Sequence, residues 1–297
     1  MAWVELEAPA IRWLLYVTAT TLVGVVGALW ATATIPASES ERPSSAELHL
    51  LRLRQGSALF FASAIILTLI VQVRVWFGPG AERDAAQYAV VLRSVWGRGW
   101  IAAALIGSLT VVVALWPSRG RAFATTSAIA AAGAALTVPM TGHGATAGAS
   151  VWILHVIHVG GGGLWIGSLG GVLWSVWPLW REGPTPALAA LLARFSSVAL
   201  SGAFALVASG IVLTFIHVPR PLALASSAYG QTLLVKMIVM LVIAGLGWRN
   251  WKRLGPAVAD SSARRALTRA AIVEVVLGTC VALAAAAWLS NLAPPVN

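Results

Sequence analysis

Charge is the scarcest property of this chain: Asp, Glu, Lys and Arg make up 10% of its 297 residues, less than half the share usual in a soluble domain. With 59% hydrophobic residues spread along the whole length, a water-soluble single core is excluded, and the class implied is an all-α polytopic membrane protein. Cysteine is nearly absent. Cys280 is the single one and sits in an apolar run, so no intramolecular disulfide and no Cys-x-x-Cys metal or redox motif can form. Also missing are GxxxxGK[ST], HExxH and GxSxG. The chain therefore reads as a non-enzyme that binds no ATP. Acid is scarcer than base, 10 Asp+Glu against 20 Lys+Arg. In a soluble chain that excess would suggest nucleic acid. Here the basic residues gather between apolar runs, where they meet anionic membrane lipid, and no nucleic-acid partner is expected. Met1 to Ala10 carries Glu5 and Glu7 in place of the basic flank of a secretory signal, so the first run is expected to be a retained helix.

At about 20 apolar residues per crossing, the runs fall at Ile11–Ala33, Gly56–Phe77, Trp100–Trp116, Phe123–Pro139, Val151–Trp177, Val198–Val218, Thr232–Trp248 and Ala270–Asn291. This predicts a bundle of about eight transmembrane helices, three in residues 1–120 and five in residues 121–297. Turn formers separate them, among them Gly78-Pro79-Gly80, Trp116-Pro117-Ser118 and Pro219-Arg220-Pro221, where a helix would end. Glu82–Trp96 alternates charge with Tyr88, Val91, Leu92 and Val95, the pattern of a short interfacial helix. The connections after runs 1, 3, 5 and 7 hold Arg42, Arg52, Arg54, Arg119, Arg121, Arg181, Arg194, Arg249, Lys252, Arg253, Arg264, Arg265 and Arg269. The other side holds Arg12, Arg74, Arg83, Arg93, Arg98 and Arg220. Basic residues stay on the cytoplasmic side, so both termini are expected outside. Run 5 carries Gly160–Gly163, Gly167, Gly170 and Gly171. Such small residues let neighbouring backbones approach closely and predict a central place in the bundle.

The polar residues inside or beside the runs are few. His49 falls in a basic cytoplasmic connection and reads as a solvated surface residue. The other four histidines map to the outer ends of helices: His143 after run 4, His155 and His158 early in run 5, and His217 at the end of run 6. His155 and His158 are three apart and share a helix face. Converging imidazoles are a candidate transition-metal site. Met140, three residues before His143, would add a soft thioether favouring Cu(I), while imidazoles alone suit Cu(II) or Zn(II) as well. Met237 and Met240 read as core filling. Lys236 and Glu274 are the charges most clearly inside runs and are expected to face the bundle or a wet cavity, Lys236 close enough to the outer end to snorkel and Glu274 near Arg265 and Arg269 for an ion pair.

Thr141-Gly142-His143-Gly144, Leu154-His155-Val156-Ile157-His158 and Leu164-Trp165-Ile166-Gly167-Ser168-Leu169 resemble in order the motifs of the copper-resistance D (CopD) family. Arg194-Phe195-Ser196-Ser197-Val198, Tyr229-Gly230-Gln231-Thr232-Leu233-Leu234-Val235-Lys236 and Glu274 with Leu292-Ala293-Pro294-Pro295 continue the resemblance. It covers Thr137 to Pro295 well and the first half more weakly, through Ser94-Val95-Trp96-Gly97-Arg98-Gly99-Trp100. The resemblance implies an inner-membrane copper-handling protein that takes copper at its outer face through His143 and His158, with His155, His217 and Met140 as helpers, and moves it across the bundle. It also implies a periplasmic CopC-like copper-binding partner. By spacing to Trp165, His158 takes the place of the family histidine. Two other readings stand beside this one: a haem b redox protein with axial histidines from two helices such as His158 and His217, and a non-transporting copper-delivery scaffold.

Overall fold

A computed structural model describes residues 2–33, 45–142, 148–182, 186–218 and 220–285. The described residues form helices and turns with no strand. In chain order the helices are α1 (Ala2–Thr32), α2 (Ser45–Phe77), α3 (Ala85–Arg93), α4 (Val95–Leu115), α5 (Gly120–Met140), α6 (Ala149–Gly162), α7 (Ser168–Glu182), α8 (Pro186–His217), α9 (Pro221–Ser226), α10 (Ala228–Arg249) and α11 (Ser261–Ala284). Two π turns interrupt them, Gly163–Gly167 between α6 and α7 and Asn250–Leu254 after α10. Eight helical stretches among the described residues are long and apolar enough to cross a membrane. The chain is an all-α polytopic membrane protein.

Several helices outrun their apolar cores, because a helix continues past the hydrocarbon wherever no breaker stops it. α2 begins at Ser45 and α8 at Pro186, so Arg52, Arg54 and Arg194 lie in helices and not in connections. His49 likewise stands in α2, half-buried, with Nδ1 shielded and unpartnered, which corrects the expectation of a solvated loop residue. Arg54 is fully buried. It donates to Thr126 Oγ1 (2.7 Å), Ser127 Oγ (3.1 Å) and the Trp116 carbonyl (2.9 Å), and lies over the Phe123 ring at 4.5 Å. It thereby fastens α2 to the α4–α5 connection through charge-assisted hydrogen bonds. Arg194 lies over the Trp30 ring at 4.4 Å, tying α8 to the inner end of α1.

The expected interfacial segment is helical. Asp84 caps α3 by accepting from Ala86 N–H, and Ser94 caps α4 by accepting from Gly97 N–H. At the same end Arg74 pairs with Glu7 at 2.9 Å, joining α2 to α1. Asp260 caps α11, and the hydroxyl and N–H of Ser262 hold its carboxyl below the usual carboxylate range.

α1 is the hub. It packs against α2, α5, α6, α7, α8, α11 and the first π turn. Glycine sets the approach: at Gly24 a Cβ would collide with the backbone of Gly167, and at Gly167 with the Thr20 carbonyl. On the other flank, a Cβ at Gly161 would stand 2.5 Å from Leu206 N, and one at Gly202 would stand 2.8 Å from the Gly161 carbonyl oxygen. Run 5 is thus clasped between α1 and α8 by backbone contact, as its glycines predict. Gly160, in contrast, faces open space. Gly167→Ala should therefore cost about 1–3 kcal/mol through forced displacement of α1, and Gly160→Ala should change stability by less than about 0.5 kcal/mol. Thermal melting of both variants in detergent checks this, and equal shifts would refute the clasp.

Candidate metal site

The end of the bundle that the distribution of basic residues leads one to expect outside gathers, by alternation of eight successive spans, the end of α5, the start of α6, the end of α8, α9 and the start of α10. His155 on α6 and His217 on the last turn of α8 meet there with ring centroids 5.8 Å apart and planes at 70°. Tyr229, from the first turn of α10, stacks on the far face of this pair, its ring 6.4 Å from His217 at 19°. The His217 Nδ1 lies 2.8 Å from the Leu213 carbonyl. A carbonyl only accepts, so this nitrogen carries the proton and Nε2 is left with its lone pair. That is the tautomer a metal ligand needs.

His158 stands one turn deeper on α6. Its Nδ1 is 3.2 Å from Ser209 Oγ on α8. The ring fits because residue 210 has no side chain: a Cβ at Gly210 would lie 3.1 Å from His158 Cε1. Lys236, half-buried on α10, is near enough for its charge to act on His158, as is His155. No carboxylate among the described residues lies within ion-pair distance of this lysine. An ammonium so placed biases the layer against a second cation unless an anion arrives or a proton leaves.

The structure thus brings together His155 and His217, and sets His158 just beneath them on its own polar partner. Met140 ends α5. His143 lies outside the described residues. Among the described residues no group of three or more His, Cys, Asp or Glu is close enough to hold a metal ion. Met240 packs into the cluster around Trp165 and Ile243, as expected of core filling, whereas Met237 is exposed, which corrects that expectation for it. Sequence reasoning missed Ser209 and Gly210, and named Tyr229 only as part of a family motif. Ser209-Gly210 is the one polar break inside Val207–Val212, which is the signal that could have found them.

Two turns below His158, Trp165 occupies the π turn and is buried against Ile243, Val281 and Leu206. Beneath it a cavity of about 650 Å³ extends between α7, α8, α10 and α11 to Pro256 and Val258 at the inner end. Glu274 opens on this cavity. It was expected to pair with Arg265 or Arg269, but no cation among the described residues is within ion-pair distance; its partner is Asn250, whose Nδ2 donates to Oε1. The reason is that α11 starts at Ser261, putting Glu274 about three and a half turns in, at the level of the π turn and above the arginines.

The fold defines a multi-pass membrane protein with paired histidines at one end of the bundle, a buried tryptophan in its middle and a cavity beyond it. Residues 189–289 match the family model described as Copper resistance protein D, which takes in most of α8 and all of α9 to α11. Over this segment, about a third of its length, the chain is similar to the CopD family. Copper transport protein CutJ of Bacillus subtilis (strain 168) is 26% identical over 266 residues, 82% of this chain and 46% of CutJ. Copper resistance protein D of Pseudomonas syringae pv. tomato is 26% identical over 305 residues, 97% of each chain. The chain thus spans about half the length of CutJ and nearly all of the second relative. No solved structure matches it. The matched segment contains His217, Lys236, Asn250 and Glu274, while His143, His155 and His158 precede it.

If Ser209 holds the His158 ring, Ser209→Ala should move the Nδ1 resonance of His158 in nitrogen-15 spectra of histidine-labelled protein, leave those of His155 and His217 in place, and cost about 1 kcal/mol of stability. An unchanged His158 resonance would show that the contact does not set the ring.

Proposed function

We propose that this protein is a copper carrier of the inner membrane, not a catalyst, which receives a copper ion at its outer face and moves it across the bundle. The observation that carries the reading is the His155–His217 pair at the outer end, with a protonated Nδ1 on His217 that leaves Nε2 for a metal. The names of the two relatives, a copper transport protein and a copper resistance protein, supply the ion. His143 and His158 are the proposed principal ligands, His155 and His217 complete the approach, and Met140 adds thioether character that favours Cu(I), imidazoles alone serving Cu(II). Lys236 then tunes occupancy from below, its charge opposing a premature cation. A periplasmic CopC-like protein is the proposed donor, docking where these histidines are presented.

Loss of a true ligand weakens a metal site beyond the roughly 10- to 100-fold that loss of a group merely supporting a ligand costs. His143→Ala and His158→Ala should each abolish stoichiometric copper binding in protein that still elutes as a folded, monodisperse species. His155→Ala and His217→Ala should give graded losses, and Lys236→Met should change copper affinity with little change in yield. Elemental analysis with an absorption spectrum on one sample decides: wild-type copper binding in a His143→Ala/His158→Ala double variant refutes the site, and a Soret band would install the haem b reading in its place. Copper bound without entry into vesicles would make the protein a delivery scaffold.

The outward placement of the histidines rests on the basic inner connection from Arg249 to Arg269 facing the lipid surface of the cytoplasm. A reporter fused after Asn297 should be active only if it is of the kind that works outside the cytoplasm. Activity of a cytoplasm-only reporter at that position would invert that placement.

A further inference from the structure

The inner cavity holds a polar pair that the outer histidines do not explain. Glu274 is 4% exposed and Asn250 8% exposed, and they are contributed by different helical segments, α11 and the π turn that ends α10. Asn250 Nδ2 donates to Glu274 Oε1, while Asn250 Oδ1 is buried with no partner. Two acceptors, a carboxyl oxygen and an orphaned amide oxygen, therefore share one apolar chamber with a single donor between them. A buried acceptor without a donor is costly, and a buried carboxylate without a cation costs more. One proton on the carboxyl relieves the charge, and the amide can turn over to accept from it, since amide orientation follows the hydrogen-bond network.

Every element packed against α11 can be checked for a competing charge. α10 presents Gly247, where a Cβ would stand 3.5 Å from Glu274 Oε2 and 4.0 Å from Trp165 Cζ2. The π turn after α10 carries Lys252, but its ammonium lies over the rings of Trp248 and Trp251, at 5.3 and 4.1 Å. The first π turn and α7 present Trp165 and Ile166. α1 reaches α11 through Trp13 Nε1, which donates to the Thr279 carbonyl. On α11 itself Arg264 is drawn to the Val258 carbonyl, and neither Arg265 nor Arg269 is within ion-pair distance of the carboxyl. The lining continues through Thr268 to Pro256 and Val258 at the inner end, which gives water a route to the carboxyl from the cytoplasmic side.

We infer that Glu274, held by Asn250, is a proton-exchange site on the cytoplasmic side of Trp165, taking a proton from inner water at Oε2 and returning it there, in step with movement of the cation through the bundle. The coupling rests on the proposed transport function; the exchange itself does not. Two readouts keep them apart. In infrared difference spectra of the full-length protein in lipid between about pH 5 and 9, the wild type should show a carboxylic C=O band that titrates, and Glu274→Gln should lose it. Asn250→Leu should shift its midpoint, which serves as the test if Glu274→Gln does not fold. In vesicles whose lumen meets the cytoplasmic side and holds a trapped pH dye, added copper should give a lumenal proton release or uptake of at most one per protein in the wild type, and Glu274→Gln should abolish that response while copper still binds at the histidines. A wild type with no titrating band, a band that survives Glu274→Gln, or a midpoint unmoved in Asn250→Leu overturns the proton site. Copper entry with no dye response overturns the coupling, whereas a titrating band in vesicles that admit no copper sustains the site and defeats the transport reading instead.

Discussion

Backbone contact between α1 and the middle of the fifth span is the constraint on which the other features hang. Gly24 and Gly167 leave no room for a Cβ between them, and Gly161 and Gly202 do the same on the opposite flank. Between these two contacts the span widens by one turn, Gly163–Gly167, to π geometry. Ser168, immediately after it, donates to the Leu164 and Trp165 carbonyls that the wide turn presents. The consequence for function is positional: the widened turn aims Trp165 into the cluster with Ile243 and Val281, between the imidazole layer and the inner cavity.

The imidazole layer takes its order from neighbouring groups. His217, in the last turn of α8, turns its Nδ1 back onto the Leu213 carbonyl one turn earlier, which fixes a proton on that nitrogen. His158 instead takes a hydroxyl, Ser209, across a gap kept open by Gly210. Tyr229 closes the pair from α10. Rings oriented by neighbours lose less freedom on meeting any ligand than rings that must first be ordered.

Much of the architecture was legible in the sequence because hydrocarbon imposes a coarse, strong requirement: about 20 apolar residues per crossing, met eight times. The glycines of run 5 announced its central position for the same reason. Helix ends were not legible. An apolar run marks where a helix enters lipid, and α2 and α8 continue a further two or three turns into polar surroundings, carrying His49, Arg54 and Arg194 with them. Arg54 in particular looked like a loop charge and is a buried clamp on Thr126 and Ser127, a pairing between residues more than seventy positions apart that periodicity cannot reveal. Glu274 was recognisable as misplaced in an apolar run, but its partner was not, because Asn250 sits on another helix just past the α10 terminus, among residues that read as a basic connection.

The vertical order of these groups limits how any cation could cross. From the outer end inward the bundle offers imidazole nitrogens at His155, His217 and His158, then the ammonium of Lys236, then the indole of Trp165, and only below it the carboxyl of Glu274. A cation moving inward meets soft neutral donors first and a positive charge next, so it cannot rest beside Lys236 without a proton leaving or an anion arriving. Trp165 then denies water a continuous column through the middle of the span, since its ring is packed against aliphatic side chains from α8, α10 and α11. The fold thus sets two polar layers on opposite sides of the tryptophan, nitrogen at His155, His217 and His158 and oxygen at Glu274 and Asn250, joined by a helix whose middle turn is widened to π geometry.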